Sequence, residues 1–152
     1  MKIDGTAFDD VVGNSYTGIS NKTTLSFTTG DTTAPTLTST TPSDNATVIA
    51  VDSSIVLTFS EIVDVETGNI VIYKTSDNSE VESIDVTSNQ VTGSGTSQIT
   101  IDPSVTLEST TEYYVKIDAS VFDDPFSNSY AGINDTTTLS FTTEDIVGPS
   151  LS

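Results

Sequence analysis

The chain is 152 residues long, with 22 acidic residues against 4 lysines, no arginine and a net charge of −18. Nucleic-acid affinity comes largely from Lys and Arg neutralising phosphates, so that partner is excluded, and an anionic membrane would repel the chain for the same reason. No cysteine or histidine is present, which removes disulfides, thiolate metal sites and both Ser-His-Asp and Cys-His catalysis; no apolar run reaches the length of a membrane span.

The first element from the N-terminus is one that returns. KIDGTAFDDVVGNSYTGISNKTTLSFTTGDTTAPTLT (2–38) recurs without a gap at 116–152 as KIDASVFDDPFSNSYAGINDTTTLSFTTEDIVGPSLS, an offset of 114 residues. More than half of the positions are identical, and the aromatics and glycines hold their places along with the threonines. A fixed period implies a repeat architecture. The linker-like GDTTAPT (30–36) matches EDIVGPS (144–150), each with a proline that stops a preceding strand. Boundaries therefore fall near Asp31 and Asp145. Residues 1–30 read as the C-terminal strand pair of an upstream repeat, 31–145 as one complete unit, and 146–152 as the start of a downstream one. MKIDGTAFDD is not a signal peptide and lies mid-repeat, within a longer parent protein. An isolated two-stranded hairpin is marginal in water, so 1–30 is expected either to be mobile or to pair in trans with another chain's sheet.

Inside the unit, alternation predicts strands throughout. TLTST (36–40) opens weakly. SSIVLTFS (53–60) puts Ile55, Leu57 and Phe59 on one face, and GNIVIYK (68–74) puts Ile70 and Ile72 on one face and Val71 and Tyr73 on the other. One or two edge strands fall around Val81, Ile84, Val86 and Val91. SQITID (97–102) presents Ile99 and Ile101, EYYVKID (112–118) presents Tyr113, Val115 and Ile117, and TTLSFTT (137–143) presents Leu139 and Phe141. About seven short strands, with turn signals at PSDN (42–45), TSDNS (75–79) and GSG (93–95), predict an all-β antiparallel sandwich. Leu107 and Tyr113 fit a tyrosine corner, a reading compatible with plain core packing.

PTLTSTTPSDNATVIAVDSSIVLTFSEIVD (35–64), LESTTEYYVKI (107–117) and LSFTT (139–143) together resemble the bacterial Ig-like domain of the S-layer type. The resemblance covers 31–145, and its most specific parts are TFSE (58–61) and the FTT ending. The long DASVFDDPFSNSYAGIND (118–135) departs from the short turn of many relatives. The resemblance implies an extracellular module in tandem array, a structural spacer or stalk serving adhesion or envelope structure, whose partners are neighbouring repeats. The rival classes are a ligand-binding adhesin module and an accessory domain of a secreted hydrolase.

In an Ig-like topology the linker entering the domain, the loop after 53–60 and the loop after 112–118 share one pole. That pole would gather Asp31, Glu61, Asp64, Glu66, Asp118, Asp123, Asp124 and Asn128. Calcium takes six to eight hard oxygen ligands, and an ion there would brace one repeat against the next. The bland alternative is a solvated acidic surface. The FDD…N pattern recurs as Asp9, Asp10 and Asn14, so any such site would repeat along the array. Catalysis is not expected: paired carboxylates can serve a glycosidase, but nothing supplies the aromatic platform or cleft, and Tyr16, Tyr73 and Tyr130 would stack sugars only weakly. Threonine-rich strands invite an ice-binding reading that strand propensity explains equally well. The sequons at Asn21, Asn45 and Asn134 follow from a threonine-rich composition.

Overall fold

Ten strands form among the described residues, 1–149 of a computed structural model. They are β1 (Leu37–Thr41), β2 (Ala46–Ile49), β3 (Ile55–Val65), β4 (Asn69–Lys74), β5 (Glu80–Asp85), β6 (Val91–Thr92), β7 (Thr96–Ile101), β8 (Glu112–Ile117), β9 (Phe122–Asp123) and β10 (Ser140–Thr143). No helix occurs among these residues, and none is therefore long and apolar enough to cross a membrane. The expected downstream segment 146–152 is described only to Pro149; its last three residues lie outside the described residues.

The strands make two sheets. One runs β1-β3-β7-β6, with β9 pairing β3; the other runs β2-β10-β8-β4-β5. Pairing is antiparallel except between β2 and β10. Period-2 alternation builds the space between the sheets. Ile55, Leu57 and Phe59 of β3 and Ile99 and Ile101 of β7 are buried from one sheet; Ile70, Ile72, Tyr113, Val115, Ile117 and Phe141 are buried from the other. The chain is an all-β sandwich, as its alternation predicts. β2 and β9 lie where no strand is expected, and β10 is shorter than the 137–143 run from which it is read.

Two adjacent side chains of β8, the central strand of the second sheet, serve its two faces. Tyr113 is buried, and its hydroxyl accepts the N–H of Glu108 at 2.8 Å, so it is both a tyrosine corner and core. On the opposite face Tyr114 stacks on Tyr73 at 5.1 Å, with the Lys116 ammonium over both rings. Tyr114 is itself buried, and the stack covers that face of the sheet.

The chain divides into two compact units, Met1–Asp31 and a second beginning at Thr32, which holds all ten strands. The first unit has its own hydrogen bonds: Ile3 and Ile19 exchange N–H···O=C bonds at 3.1 and 2.8 Å, and the Tyr16 N–H reaches the Phe8 carbonyl at 2.8 Å.

Candidate functional site

β3 outruns its sequence signal. Reading 53–60 as a strand followed by a loop puts Glu61 and Asp64 in that loop; the strand instead continues to Val65, and both are strand residues. The cause is non-local. β9 gives the extension a partner, with Asp64 opposite Asp123 and Val65 opposite Phe122. Burial keeps alternating along the extension: Phe59 and Val63 are buried, Ser60 and Ile62 exposed, and Glu61 half-buried between them. Glu61 therefore lies in the row of inward-facing positions, where a loop would have left it in water.

Asp124 follows β9 and is 3% exposed. Its Oδ1 accepts the N–H groups of Phe126 and Asn128, both at 2.8 Å, and its Oδ2 accepts the Asn128 Nδ2–H at 2.7 Å. Burial pushes this carboxyl up, but the Asn128 side chain and the two N–H donors outweigh it and hold it below the usual range. The FDD…N pattern thus closes its own loop, and the Asn128 side chain gives Asp124 a hydrogen bond through its nitrogen. The upstream copy repeats the network: Asp10 Oδ1 accepts Val12 and Asn14 N–H at 3.0 and 2.8 Å, and its Oδ2 accepts Asn14 Nδ2–H at 2.8 Å. There the Asn14 side-chain bond is the chief cause that lowers the carboxyl.

The other expected ligands do not all come together. Glu61 and Asp124 bring carboxylate oxygens within 4.8 Å of one another. Asp64 accepts the Ser94 hydroxyl at 3.4 Å. Asp118 is drawn to the start of β4, where its Oδ2 accepts the Asn69 N–H at 2.9 Å. Glu66 is exposed, with its backbone N–H on the Val121 carbonyl. Asp31 ends the upstream unit. Asp123 Oδ1 is buried and has no hydrogen-bond partner among the described residues. Among those residues, Asp64, Glu66, Asp118 and Asp123 join no group of three carboxylates within that spacing.

Sequence reasoning passed over two carboxylates that the fold uses as braces. Glu82 accepts the Ser104 N–H and hydroxyl and the Gln90 amide, and Asp44 accepts the Ser140 N–H at 3.0 Å and its hydroxyl at 2.9 Å. Neither carries a local signal, because their serine partners, Ser104 and Ser140, lie 22 and 96 residues away along the chain.

Residues 31–143 match the family model described as a bacterial Ig-like domain. Among solved structures the chain is similar to CopC from Methylosinus trichosporium OB3b, with a TM-score of 0.53 and 15% identity over 76% of this chain and 99% of that one. It is also similar to the S-layer protein rSbsC(31-844), with a TM-score of 0.46 and 20% identity; 78% of this chain spans 14% of that one. At 15% identity the likeness to CopC speaks to fold alone. No curated protein matches the chain.

Proposed function

The chain belongs to the bacterial Ig-like domain family, and on that premise we propose that it is a non-catalytic spacer or stalk repeat of a bacterial cell-surface or secreted protein. Domains of this family are typical of surface and extracellular proteins. The observation that carries the reading is the 114-residue recurrence, in which both copies keep the same carboxylate-closed loop. A unit that repeats its turns this closely is suited to stacking in series, each copy contacting its neighbours.

Small-angle scattering on arrays of one, two and three copies of 31–145 tests the reading. The maximum dimension is expected to grow by a constant increment per copy. A compact, non-linear series would sink the spacer, and turnover of a polysaccharide would favour the hydrolase accessory instead.

The Glu61–Asp124 approach favours a second element, calcium held at this end of the repeat. Calcium's six to eight oxygens would require more ligands than this pair, with the linker Asp31 as the sequence-expected addition. The ion would stiffen the junction between repeats. Millimolar calcium should then raise the melting temperature over EDTA, and Glu61→Gln should cancel the rise. Equal melting in the two buffers would remove calcium from the account.

A further inference from the structure

The first unit exposes the side chains that its counterpart buries. Phe8, Tyr16, Leu25 and Phe27 are 63%, 43%, 38% and 78% exposed; the residues 114 positions on, Phe122, Tyr130, Leu139 and Phe141, are 0%, 6%, 1% and 2% exposed. In the second unit the cover is visible. The Phe59 ring of β3 meets Phe122 at 5.3 Å and Tyr130 at 5.2 Å, edge-on to both. In the first unit the equivalent Phe8 and Tyr16 line an open groove of about 650 Å³ together with Ile3, Asp9 and Asn14.

We propose that this groove and the apolar face around it are the docking site for a repeat body equivalent to residues 32–114, carried ahead of them on the same polypeptide. Its counterpart of Phe59 enters between Phe8 and Tyr16. The inference rests on the array reading and names the partner that reading requires. A second copy of this chain is the weaker occupant, because its own body already holds Phe122 and Tyr130 against Phe59. Exchange there would expose as much apolar surface as it covered. A body without those strands gains the whole face. The first unit's turns are already hydrogen-bonded, so little backbone ordering opposes docking.

The test places residues 32–114 of this sequence directly before Met1, in register because Met1 is the counterpart of Val115. It compares that extended protein with the chain as it stands. Amide exchange at Tyr16, Ile19 and Phe27 is expected to slow by about a hundredfold or more in the extended protein, as opening of a packed edge becomes costly. Phe8→Ala, near-silent in the unextended chain, should lower the midpoint of the new repeat about as far as Phe122→Ala lowers that of the existing one. Phe8→Leu should recover most of the loss. Val11→Ser should be silent in both proteins, because Val11 and its counterpart Pro125 are both exposed. An added segment that stays unprotected beside a folded second unit overturns the proposal, and so does a silent Phe8→Ala in a folded extended protein. A dimer of the unextended chain with Tyr16 and Phe27 protected would assign the face to a second copy and also overturn it. If the extended protein docks as described but arrays fail to lengthen linearly, the spacer reading falls and the docking stands.

Discussion

Residues 2–31 and 116–145 are nearly one segment in two settings, and the settings separate what is local from what is not. The Ile3–Ile19 and Asp9–Ser15 bridges of the first copy reappear as Ile117–Ile133 and Asp123–Ser129 in the second. The Asp10 and Asp124 loops accept the same three hydrogen bonds. The strand does not reappear. TLSFTT at 24–29 forms none, whereas its second copy forms β10 at Ser140–Thr143, flanked by β8 and β2. Turns closed by a side chain need only a few neighbouring residues. A strand of alternating Leu and Phe needs another edge and something to bury against.

The largest test of this separation is the pair Phe122→Ala and Phe8→Ala. Phe122 packs edge-on against Phe59 in the core, and its truncation should cost about 3–5 kcal/mol by denaturant titration. Phe8→Ala should stay within about 0.5 kcal/mol in the same chain, as for a surface position. Equal effects would mean that the first unit is buried in solution and would break the comparison. Next in size is glycine. Gly18 and Gly132 share a φ of +78°, and an added Cβ would lie 2.6 Å from the Ile3 carbonyl oxygen and 2.4 Å from that of Ile117. Gly132→Ala should cost at least about 1–2 kcal/mol from the left-handed backbone alone. Gly18→Ala meets the same local clash, so it should erase the Ile3–Ile19 amide protection while leaving the main unfolding transition in place. Hydrogen exchange and calorimetry on the two variants measure the two halves of that statement.

The sequence made the sandwich legible where alternation is strong. β3 up to Phe59, β4, β7 and β8 present the expected inward rows, because each alternates apolar residues over several positions. Tyr113 was legible too, since a tyrosine corner is a short-range device reaching five residues back to the Glu108 N–H. Glu61 and Asp64 were misplaced into a loop because the second half of β3 depends on β9, two residues that lie 58 positions downstream at Phe122–Asp123. β2 was invisible for a similar reason: its pairing is parallel to β10, far along the chain, and turn residues surround it. At the candidate site, the pattern FDD…N is legible as a recurring acidic loop, and the hydrogen bonds that Asp124 accepts from Phe126 and Asn128 are what the structure adds. A carboxylate four residues before an asparagine looks like two oxygen donors to a cation, but short range favours the carboxylate accepting the chain's own N–H groups first.

The smallest effect concerns the cap at position 135, where the two copies differ by one atom type. Asn21 Oδ1 accepts the N–H groups of Thr23 and Thr24 at 3.0 and 2.7 Å; Asp135 Oδ1 accepts those of Thr137 and Thr138 at 2.8 and 2.7 Å. The Thr137 N–H bond, followed by the bonds from Thr138, lowers the Asp135 carboxyl from 3.8 to about 2. A carboxyl whose folded value is depressed adds stability that is complete above its unfolded value and is lost as pH falls through the folded one. Its contribution should therefore be intact above pH 3.8 and drain away towards pH 2. Asn21 shows that the neutral amide forms the same backbone cap, so Asp135→Asn should fold normally and lack that acid-dependent part. The quantity to measure is the melting-temperature difference between the parent chain and Asp135→Asn, which cancels the titration of the other acids. It should shrink as pH falls from 4 towards 2. The reciprocal Asn21→Asp should make the Thr23 and Thr24 amide shifts titrate in that range without moving the main transition. A parent chain and Asp135→Asn that melt in parallel across those pH values would show that the charge at this cap adds nothing to the hydrogen bonds the neutral copy already makes.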